Sequence, residues 1–389
     1  MRILHTSDWH IGRSFHGHST LSALAEVLQA MILQVREHAV DVVLVSGDVF
    51  DSATPSADSY TLLTDTLAEL ADTGTQVIVT SGNHDSAARL GFQSGLLRPG
   101  IYVRTDPLQL DQPITLTDEF GEVDVYPIPY LEPAMVRHLW EGVELRKQVD
   151  TLTHAMNLVR RRREERATSG TSVRSVVMAH CFAAGVEATP GVEREVRQGG
   201  VDMVPVSVFD GVDYTALGHI HGRQTLRDNV RYAGAPLHYS FGEQHKPRGS
   251  WLVTLDADGF ADAEWLEAPV PRRLVTLRGT LDELLTDDRF DGDETAWVCA
   301  EYTDTTPQRD PMRRLRERFE HCALVLHKPE GVVAGAKKTY GERLQRAVTD
   351  IERIEVFLAD VRNGEGASPA EQEILQAVID ERVLAEARA

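Results

Sequence analysis

VIVTSGNHDS, residues 77–86, begins as a buried strand and ends in residues that no strand needs. The apolar or β-branched positions Val77 to Thr80 run into Ser81, Gly82, Asn83, His84 and Asp85. Read alone, GNHD could be a turn, since Asn and Asp favour turns. The same pattern recurs elsewhere, which argues for a site. ILHTSDWH (3–10) ends in Asp8 and His10, and VVLVSGD (42–48) ends in Asp48. SVVMAH (175–180) ends in His180, and YTALGHIH (214–221) in His219 and His221.

Helical spacing over 20–37 and 57–72 separates the first three apolar runs, which predicts βαβ crossovers and an α/β fold. In such sheets ligands gather at the carboxyl ends of strands, so these clusters converge if the strands share a sheet. In an extended GHIH the period of two puts both imidazoles on one side. The donors then comprise three imidazoles besides His10, two carboxylates and one amide. That mixture of nitrogen and oxygen suits Mn²⁺, Fe or Zn²⁺ better than Ca²⁺ or Mg²⁺.

At 389 residues the chain has room for two or three domains. Its 42% hydrophobic and 26% charged residues are those of a soluble globular protein. No apolar run reaches the roughly 18–20 residues of a membrane span, and MRILHTSDWH lacks a signal-peptide pattern. Cys181, Cys299 and Cys322 are odd in number and widely spaced, which argues against a disulfide framework and for a reducing cytoplasm. The net charge of −20 opposes nucleic-acid binding taken alone, although local patches, bound cations or a basic partner can offset it.

Further along, 132–166 reads as helical, and VRYAGAPLHYSF (230–241) as strand. EAPVPRR (267–273) reads as a connector, followed by a compact βαβαβ-like unit. RRRREER (160–166) and RRLRER (313–318) are basic runs whose plainest reading is a solvated helix face. The tail is helical, with Ser368 as N-cap, Pro369 at N1 and Glu371 three residues on. Its apolar stripes are Ile354, Phe357 and Leu358, then Ile374, Leu375, Val378 and Ile379.

The ordered set D-x-H, GD, GNHD, H and GHxH, across about residues 1–245, resembles the calcineurin-like metallophosphoesterase superfamily. RILHTSDWHIGRSFHG, YAGAPLHYSFGE and the tail FLADVRNGEGASPAEQEILQAVIDE are similar to the SbcD-type subunits of bacterial SbcC–SbcD nucleases. Phosphoprotein phosphatases, by contrast, usually carry GDxxDRG and GNHE. The resemblance implies a metallophosphoesterase β-sandwich flanked by helices (1–268), a small α/β DNA-binding capping domain (273–332) and C-terminal helices (340–389). It implies two divalent cations, foremost Mn²⁺. Asp8, His10 and His221 would hold one, Asn83, His180 and His219 the other, with Asp48 bridging. His84 becomes the general acid. Asp85 either orients that ring or N-caps the SAARLGF segment, and Asp51 supports the ligands.

The implied partners are DNA and an SbcC-type coiled-coil ATPase, with a homodimer inside a heterotetramer. ATP hydrolysis would fall to the partner, because the chain lacks G-x-x-x-x-G-K-[ST]. The implied activity is a double-strand exonuclease and single-strand or hairpin endonuclease in DNA end processing, recombination and repair. The rival readings are a generic metallophosphodiesterase and a catalytically inactive scaffold. The first predicts little chain after residue 250, and the second a missing ligand.

Overall fold

The computed structural model describes residues 1–168, 173–183, 203–330, 344, 349–362 and 364–386. The chain divides into two compact units, Met1–Pro271 and Arg272–Ala389.

The larger unit is built on two six-stranded sheets. In the first, Arg2–Thr6, Val42–Ser46, Gln76–Thr80 and Ile101–Arg104 run parallel. Gly249–Asp256 and Gly259–Glu267 extend it antiparallel beyond Arg2–Thr6. In the second, Gly121–Pro127, Arg174–His180, Tyr214–Gly218 and Val230–Tyr232 are parallel, flanked by Ile114–Asp118 and Gln224–Arg227.

Alternation along each strand explains the layering. Ile3, Val42, Leu44 and Ile78 point between the sheets, where they meet Val123, Val125, Val176, Met178 and Tyr214. Leu4, Val43, Val45, Val77 and Val79 point the other way, against helices Leu21–Glu37 and Ala57–Asp72. Val177, Ala179 and Leu217 pack on helix Gln148–Thr168 through Leu152, Met156 and Val159. Strands covered on both faces read as unbroken apolar runs, which is why they are visible in the sequence. The result is a β-sandwich with helices on both outer faces.

Two elements depart from the expectation. The helix predicted over 132–166 is two helices, a single turn at Pro133–Val136 and the long helix Gln148–Thr168. Asp150 closes its start, its carboxylate accepting from the backbone N–H of Arg146 and Lys147. The strand predicted over 230–241 stops at Tyr232, because Gly234 takes φ +79 under the carbonyl of His221, where any Cβ would lie 2.7 Å away. The basic run 160–166 is also less solvated than read. Arg160 donates to the carbonyls of Val208 and Asp210, Arg163 to that of Gly211, and Arg166 pairs with Glu122 and Asp124.

In the second unit Leu274–Gly279, Trp297–Tyr302 and Cys322–His327 form a parallel three-stranded sheet. Helices Leu281–Thr286 and Pro311–Arg316 cross between them over Leu284, Phe290, Leu315 and Phe319. The tail holds helices Asp350–Val361 and Pro369–Glu386. Ser368 and Glu371 exchange capping hydrogen bonds at the start of the second. Phe357, Ile374 and Val378 are exposed, whereas Ile354, Leu358, Leu375 and Ile379 are partly covered.

His5 gives a stability test within the sandwich. It is wholly buried between the Tyr214 hydroxyl (2.9 Å) and the Leu217 carbonyl (3.1 Å), and burial pushes its pKa down to about 3. The unfolded chain takes up this proton below pH 6.5, while the folded one refuses it down to about pH 3. Stability therefore falls as pH drops through that window, by about 1.4 kcal/mol per pH unit. Urea unfolding of the metal-free chain at pH 6.5 and 5.0 should show an acid loss about 2 kcal/mol smaller in His5→Gln than in wild type. An equal loss in both would refute this account.

Candidate metal centre

Five strand ends of the larger unit supply the site. Arg2–Thr6 leads into Asp8 and His10, Val42–Ser46 into Asp48, and Gln76–Thr80 into Asn83 and His84. From the second sheet Arg174–His180 ends in His180, and Tyr214–Gly218 leads into His219 and His221. The first two loops are laced together, the N–H of Asp8 donating to Gly47 O and that of His10 to Asp48 O, both at 3.0 Å. Asp8, His10, Asp48 and His219 all carry positive φ, at 53°, 46°, 48° and 105°. Such backbone costs about 1–3 kcal/mol per residue and persists only where the surroundings enforce it, typically at functional sites.

The structure brings the predicted ligands together in one cluster of side chains. Asp48 Oδ2 lies 3.3 Å from His180 Nε2 and 3.6 Å from His10 Nε2, so one carboxylate faces both halves of the cluster. His10 Nε2 and His221 Nε2 are 3.0 Å apart. Asn83 Oδ1 sits 3.0 Å from His180 Nε2 and 2.9 Å from His219 Nδ1. Ligand atoms of Asp8, His10 and His221, and separately of Asp8, Asp48 and His180, fall within 4.8 Å of one another. Asp8 also accepts the N–H of His219 at 3.0 Å, locking the two sheets together at this end.

The donor set fits divalent cations. Asp8, His10, Asp48, His180 and His221 are buried, which leaves two carboxylates with little water to neutralise them. Burial holds His10 and His221 below the usual imidazole range and takes His219 down to about 3. Those rings are therefore neutral, as ligation requires. Asp8 is raised to about 7, chiefly by burial. Asp48 is raised by burial, yet held well below the carboxylate range by His180, His10 and His84; the same attraction lifts His180 to about 9 against its burial. Without a cation, Asp48 and His180 thus neutralise each other. The far nitrogens are anchored too: His180 Nδ1 at 2.9 Å from Ser46 O, and His10 Nδ1 at 3.3 Å from Asp51 Oδ1. Such partners fix tautomer and ring orientation.

His84 borders the cluster. Its N–H donates to Asp48 Oδ1 at 2.8 Å, its Nδ1 lies 2.9 Å from Asp51 O, and its ring stands edge-on to His10. Asp85 meets neither expectation held for it. Its carboxylate accepts from the N–H groups of Gly82, Val49 and Phe50, so it clamps the Asn83 loop to the Asp48 loop. Burial and the nearby Asp48 charge raise its pKa to about 6 despite those bonds. The N-cap of the following helix is Ser86, which accepts from Arg89. GHIH is not extended either. The turn at His219 separates the two imidazoles, sending one to Asn83 and the other to His10.

Gly82 shows how tightly the bridging residue is seated. A Cβ there would lie 2.2 Å from Asp48 Oδ1 and 2.3 Å from its backbone nitrogen. Gly82→Ala should displace that carboxylate and reduce metal uptake measured by elemental analysis, with the folded far-ultraviolet spectrum retained. Full uptake by the variant would contradict this.

Reading the chain as sequence overlooked Arg13, Tyr239, Glu243 and Arg248. Arg13 bonds Asp51 at 3.2 Å and covers the Tyr239 ring, whose hydroxyl donates to Trp9 O. None of them follows a strand in a recognisable ligand spacing; Arg13 lies within RILHTSDWHIGRSFHG and Tyr239 and Glu243 within YAGAPLHYSFGE, while Arg248 lies in neither stretch.

Residues 1–223 match the family model for calcineurin-like phosphoesterases. Residues 270–361 match a model named for the SbcD C-terminus and described as the type 5 capsule protein repressor C-terminal domain. Among solved structures, a dimetal phosphatase from Danio rerio aligns at 14% identity and TM-score 0.40, covering 69% of this chain and 99% of that one. The protein TT1561 of Thermus thermophilus aligns at 13% and 0.34, covering 60% and 89%. At those scores neither carries an argument.

Proposed function

This chain belongs to the calcineurin-like phosphoesterases and is a metal-dependent phosphoesterase with an SbcD-type C-terminal domain, and from that premise we propose that it is a DNA nuclease subunit working with an SbcC-type coiled-coil ATPase. The observation that carries the reading is Asp48 facing His180 Nε2 and His10 Nε2 together, with the remaining donors grouped on either side.

Asp8, His10 and His221 would hold one cation and Asn83, His180 and His219 the other, with Asp48 between them. Two cations, foremost Mn²⁺, would supply Lewis acidity at the scissile phosphate and a water acidic enough to attack it. The chain's own part is positioning and proton transfer. The Asp51 carbonyl accepts from His84 Nδ1–H, so a second proton carried on Nε2 of the imidazolium is the one the ring would give to the departing 3′ oxygen, leaving the imidazole neutral. Asp85 keeps the two loops in register while that happens.

DNA as substrate is supported by the second unit, which the small-substrate reading does not need. In RRLRER, Arg316 and Arg318 are spent on the carbonyls of Cys322, Leu284 and Asp287, whereas Arg313 and the neighbouring Arg309 are exposed and held only by long surface ion pairs to Glu317 and Asp310, which phosphate could displace. The capping role falls to 273–332. The exposed Phe357, Ile374 and Val378 suit a coiled-coil partner. A homodimer within a heterotetramer and a cytoplasmic setting complete the proposal. The three cysteines are buried free thiols, and no helix among the described residues is long and apolar enough to cross a membrane.

Purified chain should cut linear and hairpin DNA with Mn²⁺ and stop with chelator. Cleavage of a p-nitrophenyl phosphodiester but of neither DNA would favour the small-substrate reading. Inactivity on all three would favour the scaffold.

A further inference from the structure

The loop after the second sheet buries an ion pair that the catalytic reading leaves unused. Glu243 is 0% exposed and Arg248 2%, directly behind His221. Glu243 Oε2 accepts the Tyr239 N–H at 2.7 Å and lies 3.3 Å from Arg248 Nη2 in an ion pair. Arg248 Nη1 in turn donates to the carbonyls of His221 and Ala235. Glu243 Oε1 accepts no hydrogen bond among the described residues and lies 3.9 Å from His221 Nδ1. A buried carboxylate oxygen left without a donor is costly, so its placement needs a reason.

We propose that Glu243, braced by Arg248, is a positioning residue that fixes the tautomer and tilt of His221. The inference rests on the assignment of His221 as a metal ligand. His221 Nε2 faces His10 Nε2 on the cluster side, so ligation there leaves the ring proton on Nδ1, the nitrogen that lies 3.9 Å from Oε1. A carboxylate behind a ligating histidine fixes the ring and makes it a stronger donor. His180, in the other half of the cluster, is backed by the neutral carbonyl of Ser46. The support from Glu243 is therefore one-sided. Its loss should weaken the cation held by Asp8, His10 and His221 and spare the other.

Glu243→Gln isolates the effect. The Tyr239 N–H donates to the Oε2 position and the Arg248 guanidinium charge lies beside it, and together they draw the amide oxygen there. The amide NH₂ then faces His221 Nδ1 and favours the tautomer with its proton on Nε2, which cannot ligate. Titrating metal-free protein with Mn²⁺ by calorimetry should show two equivalents in wild type. In the variant one equivalent should weaken about 10–100-fold and the other stay unchanged. His221→Ala should weaken the same equivalent, and adding Glu243→Gln to it should cost nothing more. If Glu243→Gln does not fold, Glu243→Asp keeps the charge beside Arg248 while drawing the carboxylate back from Nδ1, and should give the same selective loss.

A purely structural ion pair would instead lower the unfolding temperature and weaken both equivalents together, or neither. Either result, in a wild type that binds two cations, overturns the inference alone. A wild type that binds fewer than two would remove the two-cation reading beneath it.

Discussion

Replacing His84 with alanine should leave two equivalents of Mn²⁺ bound while DNA cleavage falls about 10²–10⁴-fold in kcat, the range that a general acid contributes. The bond that ties this residue to Asp48 runs from its backbone N–H and survives the substitution. What disappears is the ring held by the Asp51 carbonyl. The leaving group sharpens the test. A p-nitrophenolate departs without protonation, so a p-nitrophenyl phosphodiester should lose far less in the variant than DNA does. The competing possibility is geometric: ligand atoms of His10, Asp48 and His84 also lie within 4.8 Å of one another. If the variant binds one cation fewer and loses both substrates alike, His84 is a ligand and the acid role fails.

Asp48→Ala should have the broader effect, removing both cations. One of its oxygens accepts the His84 N–H at 2.8 Å, and the other faces His180 and His10 at 3.3 and 3.6 Å. That places a single carboxylate between the two halves of the cluster. Deleting it should cost more than the 10–100-fold in affinity expected for a supporting residue. Activity on every phosphodiester should disappear with the metal. Asp48→Asn keeps the shape and an acceptor for His84 but drops the charge, so it should fold and still bind Mn²⁺ poorly. Elemental analysis after dialysis reads both. A single equivalent retained by Asp48→Ala would show that it serves one cation and not two.

The two substitutions separate chemistry from assembly. On the proposed reading His84 would act on a centre already formed, whereas Asp48 would form it. Assaying them together guards against misreading a metal-depleted preparation as a catalytic defect.

The sequence by itself determined which chain segments became strands and which polar residues ended them. Val42–Ser46 and Gln76–Thr80 are apolar on both faces because each is covered by the opposite sheet and by a helix, and that double burial is written directly into residue type. The helices over 21–37 and 57–72 were legible through their apolar spacing for the same reason. The candidate donors Asp8, His10, Asp48, Asn83, His180, His219 and His221 stood out because each closes or follows such a strand.

Only the tertiary structure decided what stands behind those donors. Asp85 looked like a partner for the His84 ring because it is its neighbour in the chain. The fold turns it away to accept three backbone N–H groups from two loops. Asp51 serves His10 and His84, both distant from it in the chain, and Glu243 reaches His221 from a separate loop. Strand and helix periods are local properties of residue type. Hydrogen bonds between loops depend on where separate strand ends come to rest, and no spacing along the chain encodes that.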